Sequence, residues 1–156
     1  MSMKPINITQ KRRLKMNTNK KIAGMIDRNV LLSTLWIFVL FNYLYCDVLS
    51  NMEAEVLKGL MTGQIESLQI TQGFLLLAGI LMEIPIAMVL LSRVLRYSAN
   101  RWANIIAGAI MTAVQISSFF VGTTPPTLHY IFYSIIEISC TSVIVWFAWT
   151  WRNAEV

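Results

Sequence analysis

Residues 69–91, QITQGFLLLAGILMEIPIAMVLL, carry one formally charged side chain, Glu83, in an otherwise apolar run. A helix rises about 1.5 Å per residue, so about 20 residues cover the roughly 30 Å of bilayer hydrocarbon. A soluble helix needs only an apolar stripe facing its core, whereas this run is apolar on nearly every face. Three further runs have the same character, at about 30–50, 100–121 and 128–149. With 56% hydrophobic and only 13% charged residues, the chain is too apolar for an ordinary soluble domain. The expected fold is all-α: an integral membrane four-helix bundle over residues 29–152, preceded by a basic tail at 1–28.

The flanks of the runs predict orientation. The tail holds Lys4, Lys11, Arg12, Arg13, Lys15, Lys20, Lys21 and Arg28 among polar residues, too few apolar groups to form a core. It reads as a solvated segment able to touch anionic lipid headgroups. Met16 opens a stretch still basic enough to orient the first span and is an alternative translation start. No small-x-small cleavage site follows the first run, and the bulky Tyr45 before Cys46 rules out a lipobox, so the run is expected to remain as an anchor. Arg93, Arg96 and Arg101 lie between the second and third runs, and Arg152 follows the fourth. Basic residues favour the cytoplasmic side, which places both termini inside and residues 51–68 and 122–127 outside. Trp102, Trp146, Trp149 and Trp151 fall near the same interface. Although the formal charge is +5, the basic residues sit in short segments beside apolar runs, a pattern that orients membrane proteins rather than one that binds nucleic acid.

Residues 51–68, NMEAEVLKGLMTGQIESL, have helically spaced apolar positions interrupted by Gly59 and Gly63. They predict a short amphipathic helix or helical hairpin at the outer interface, with an irregular loop as the alternative. Pro125 and Pro126 separate the third and fourth spans.

Glu83 and Glu137 each lie roughly a dozen residues into spans that run in the same direction, which puts both near the midplane. An ionised carboxylate there costs roughly 2.5–3.5 kcal/mol, so both are expected to face the protein interior, where they can share one site. No intramembrane Lys or Arg is available to neutralise them, and at least one is expected to be protonated. That suits a proton carrier, a site for a cationic ligand, or a permanent hydrogen-bond donor. Gln69, Gln72, Gly79 and Glu83 share a helical face, as do His129, Tyr133, Glu137 and Thr141. Asn104, Gly108, Thr112, Gln115 and Ser118 mark the third span, and Asn42, Tyr43 and Asp47 the first. The candidate ligand- or proton-binding residues are Glu83, Glu137, Gln72, Tyr133 and Asn42. Asp47 and His129, both near the outer end, are expected to form a charge pair or an entrance. Asn104, Thr112, Gln115 and Ser118 read as packing contacts. Pro85 is expected to free a carbonyl near Leu81 and bend its helix.

Cys46 and Cys140 form no CxxC or metal-ligand spacing and read as small buried side chains. No catalytic triad order, HExxH or phosphate loop is present, and no cofactor or metal is implied.

The stretch ITQGFLLLAGILMEIPIAMVLLSRVLRYSANRWANIIAG, with TLWIFVLFNYLYCDVLS before it and YSIIEIS after it, resembles small prokaryotic four-span proteins catalogued as a domain of unknown function. MEIPIAMVLLSR is its most specific piece. The layout is broadly like that of the DoxX proteins. The resemblance implies a four-helix bundle in a prokaryotic plasma membrane, without catalytic residues to carry over.

Three functions follow as expectations. The first is a proton-linked carrier or binder of an unknown small ligand, which with four helices implies a homodimer or larger assembly. The second is a non-catalytic subunit or scaffold of a membrane complex, which a lipid-facing polar group would favour. The third is an accessory to membrane redox chemistry, suggested by layout alone; His129 is the sole histidine, so one chain cannot supply two haem-ligating histidines.

Overall fold

The computed structural model describes residues 8–65, 68–120 and 125–151. Arg152, Lys4, Glu66 and residues 122–124 of the 122–127 turn lie outside the described residues. Helix α1 spans Ile8–Asn51, 44 residues, and therefore crosses the expected boundary at residue 28 without a break. Residues 8–17 are exposed, and the basic segment continues the first span as helix. Helix α2 spans Ala54–Thr62, α3 Gln72–Val94, α4 Tyr97–Ser118 and α5 Leu128–Trp149.

The segment between α1 and α3 contains more than an amphipathic helix. After α2, Gly63 adopts φ 75°, a left-handed conformation that glycine tolerates, and its N–H caps the helix on the Gly59 and Leu60 carbonyls. The chain then forms a two-residue antiparallel ladder, Gln64–Ile65 against Leu68–Gln69. Gly59 lies under this turn; a Cβ there would come within 2.9 Å of the Gln64 carbonyl oxygen. The interruption at Gly59 and Gly63 is thus a packed helix-to-hairpin turn. Helix α3 starts at Gln72, three residues later than expected, because the Thr71 hydroxyl accepts the Phe74 N–H at 3.2 Å and caps it. It continues through the buried Pro85.

The long helices close into a ring in the order α1, α3, α4, α5. Cross-helix bonds fix their antiparallel directions: Ser33 pairs with Val89 and Ser50 with His129, while Thr112 pairs with Thr141 and Gln115 with Ser134. Trp36, Val39, Met88, Met111 and Ile144 fill the centre. Gly108 admits α5 closely, since a Cβ there would meet Val145 at 2.7 Å.

Apolar and polar residues are distributed in the reverse of a soluble protein. Phe38, Phe41, Leu44, Leu76, Ile80 and Leu90 are exposed, while Ser92, Asn100, Asn104, Ser134, Glu137 and Thr141 are buried. Among the described residues three helical segments are long and apolar enough to cross a membrane: Arg28–Asn51, Gln72–Val94 and Leu128–Trp149. This corrects the expected four. Helix α4 has the length, but Asn100, Arg101, Asn104 and Gln115 lower its apolarity. Trp102, Trp146 and Trp149 are exposed as interfacial rings would be, but Trp151 is 4% exposed and packs edge-on against Tyr97, whose hydroxyl donates to the Trp151 carbonyl.

Candidate functional site

Helix α5 turns Ser134, Glu137, Thr141, Ile144 and Ala148 inward, the three-and-four spacing of one helical face. Glu137 is 1% exposed and its Oε1 has no hydrogen-bond partner. On α1, Tyr43 is 6% exposed and its hydroxyl is likewise unpartnered. The Tyr43 hydroxyl and the Asp47 carboxyl both lie within electrostatic reach of Glu137. Tyr43 and Asp47 are four residues apart and so share a face of α1. The third buried orphan atom among the described residues, Arg101 Nε, belongs to a guanidinium that already donates to the Trp149 carbonyl at 3.1 Å. Two of the three orphans therefore lie within electrostatic reach of each other. Cys46 and Cys140 are both buried free thiols, Cys46 within electrostatic reach of Glu137 and Cys140 of Tyr43.

A groove of about 410 Å³ opens between α1 and α3 at this level. Ile37, Leu40, Phe41 and Leu44 of α1 and Met82 and Ile86 of α3 make it apolar, with Tyr43 and Asp47 as its polar lining. Asp47 is exposed and lines this groove, whereas Glu137 is buried and is not among its lining residues. A second hollow, about 570 Å³ on the outer surface of α4 and α5, has no buried unpartnered polar atom among its lining residues; the hydroxyl of Thr112, which lines it, is bonded to Thr141 and to the Gly108 carbonyl.

The expected pairing of Glu83 with Glu137 does not form. Glu83 is exposed, and at 100° per residue it stands opposite the face of α3 that carries Pro85, Met88 and Ser92 into the bundle. Gln72 and Gly79 are exposed with it. A polar stripe in the sequence shows which residues share a face; the better-packing opposite face of α3 took the interior. Asn42 is buried, but its amide donates back to the Phe38 carbonyl at 2.8 Å. Tyr133 is half-buried against the edge of Phe132. His129 does not pair with Asp47. Its Nε2 lies 3.2 Å from the Ser50 hydroxyl and 3.5 Å from Glu53 Oε1, and its Nδ1 lies 3.1 Å from Thr127 Oγ1. The residue that sequence reasoning left out of the site is Tyr43. Its four-residue spacing from Asp47 was the available signal.

A different polar cluster lies farther down the bundle. Trp36 Nε1 donates to Asn104 Oδ1 at 2.8 Å, and the Ser92 hydroxyl donates to the same oxygen at 3.2 Å. Asn104 Nδ2 donates to Asn100 Oδ1, and Asn100 Nδ2 donates to Asn29 Oδ1 and the Ser92 carbonyl. Arg93 Nε donates to the Ser33 hydroxyl, which donates to the Val89 carbonyl. Its members satisfy one another across α1, α3 and α4, as structural contacts should.

The chain belongs to a family of unknown function, DUF6326, whose model matches residues 19–156. No curated protein and no solved structure matches it.

Proposed function

We propose that this protein is a proton-linked binder or carrier of a small molecule, embedded in the prokaryotic plasma membrane, with Glu137, Asp47 and Tyr43 as its working groups. One observation carries the reading: the Glu137 Oε1 and the Tyr43 hydroxyl are buried without partners within electrostatic reach of each other, and Tyr43 and Asp47 line an apolar groove. An orphaned buried polar atom forfeits about 1–3 kcal/mol, a cost that a binding site can recover when ligand, proton or water arrives. The titratable groups within electrostatic reach of Glu137 are Tyr43, Cys46 and Asp47 of α1, and Cys140 lies one turn along α5. No Lys or Arg lies among them, so Glu137 is held neutral by a proton until a cation replaces it.

We read all four long helices as spans. The exposed face of α4 carries Trp102, Ile106, Ile110 and Ile116, while Asn100 and Asn104 point inward. Mean hydropathy sums both faces, whereas lipid meets only the outer one. The positive-inside rule then puts both termini in the cytoplasm.

Infrared titration of the purified protein in lipid tests the site. A carbonyl band of a protonated carboxyl that responds to bulk pH and disappears in Glu137→Gln supports proton linkage. A band assigned to Glu137 that ignores pH identifies a permanent hydrogen-bond donor and overturns it.

A second reading, a subunit of a larger membrane assembly, is favoured by Glu83. This carboxyl stands on the lipid side of α3, of whose most apolar window only 11% is buried, against 33% in α1 and α5. Contact with a second copy would take it out of lipid. Ala87→Cys lies one turn from Glu83, and its disulfide cross-linking in native membranes should fall sharply when Glu83→Leu is added. Unchanged cross-linking, or none in the parent, sinks the reading.

A further inference from the structure

We infer that the ligand of the α1–α3 groove is a lipophilic primary amine, bound as its ammonium ion with the charge at Asp47 and Tyr43 and the apolar body between Leu44 and Ile37. The inference rests on the binding reading above and names its substrate class.

The polar end selects the head. Asp47 and Tyr43 line the groove, and the Tyr43 hydroxyl and Glu137 Oε1, within electrostatic reach of each other, are buried without partners. These are carboxyl and hydroxyl oxygens, acceptors that match the N–H donors of an ammonium, which has no acceptor of its own. An anionic head would meet two carboxyl groups and no cation. The nearest basic side chain across the α1–α3 contact, Arg93, lies beyond the apolar end of the groove and donates to Ser33. A neutral alcohol would satisfy a hydrogen bond but leave the carboxyl charge uncompensated.

The apolar end selects the body. From Asp47 to Ile37 the groove follows α1 for about 15 Å, at about 1.5 Å per residue. Leu40, Leu44, Met82 and Ile86 offer no polar side-chain atom along it. Its volume of about 410 Å³ is within the range of small-molecule pockets. Phe41 and Leu44 are each 56% exposed on its rim, so the groove is open toward the surface that lipid covers. The ligand therefore partitions into the bilayer first and enters sideways. As the ammonium docks, a proton leaves Glu137, and the net charge of the site is unchanged.

The test uses the full chain in zwitterionic lipid nanodiscs, with empty nanodiscs as background and three probes of one chain length: decylammonium, decanol and decanoate. Decylammonium should bind above background and release protons. Its affinity should fall at least about tenfold in both Asp47→Asn and Glu137→Gln, and less in Tyr43→Phe. Asp47 is exposed, so Asp47→Asn serves as the probe should Glu137→Gln fold poorly. Decanol or decanoate binding as tightly as decylammonium, or decylammonium affinity untouched by Asp47→Asn, overturns the amine assignment. Absence of decylammonium binding to folded protein overturns it as well. Infrared titration of Glu137 on the same samples separates the two claims: a pH-responsive carboxyl keeps the site and rejects only the ligand class, whereas an unresponsive one rejects both.

Discussion

Two buried polar clusters lie within one helical bundle, and their bonding sets them apart. Around Asn104, the Trp36, Ser92 and Asn100 side chains find partners on neighbouring helices. Around Glu137, about as deeply buried, the carboxyl oxygen and the Tyr43 hydroxyl find none. Burial alone does not mark a functional site. A satisfied network stabilises and orients helices, whereas an unsatisfied one retains binding capacity at a cost to stability.

Substitution should treat the two clusters oppositely. Asn104→Ala removes the acceptor of both Trp36 and Ser92 and the donor to Asn100, and should destabilise the bundle by about 2–3 kcal/mol. Denaturation in mixed micelles measures this, and wild-type stability would show that the network is not what joins α1, α3 and α4. Glu137→Met removes an unpartnered buried carboxyl while keeping side-chain volume. It should leave stability unchanged or raise it by about 1 kcal/mol while abolishing proton linkage. A loss as large as that of Asn104→Ala would erase the distinction between the clusters. The smallest effect is expected from Tyr43→Phe, within about 0.5 kcal/mol in stability, because the deleted hydroxyl has no protein partner to lose. A clear destabilisation would mean that the hydroxyl is bonded in the folded protein.

The interhelical contacts were more legible in the sequence than the site. Thr112 and Gln115 meet Thr141 and Ser134 because small and polar residues at helical spacing pack face to face. Ser118 reaches Tyr130 in the same way. Glu83 showed the limit of that reasoning. Gln72, Gly79 and Glu83 do share a face, but the rotation of α3 is decided by how Met88 and Ser92 fit against α1 and α4, which no single-helix pattern encodes. His129 shows the same limit: the break between α1 and α2 brings Glu53, rather than Asp47, within its reach.

By itself, the sequence determined the helical class, the approximate limits of the long helices apart from the start of α1, and the inversion of apolar and polar surfaces, because hydropathy and helical period act along one segment at a time. Tertiary structure alone decided that Glu137 lies within electrostatic reach of Tyr43 and Asp47 while Glu83 looks outward. Which faces of four helices meet is a collective packing outcome, and a side chain's partners are set by residues tens of positions away.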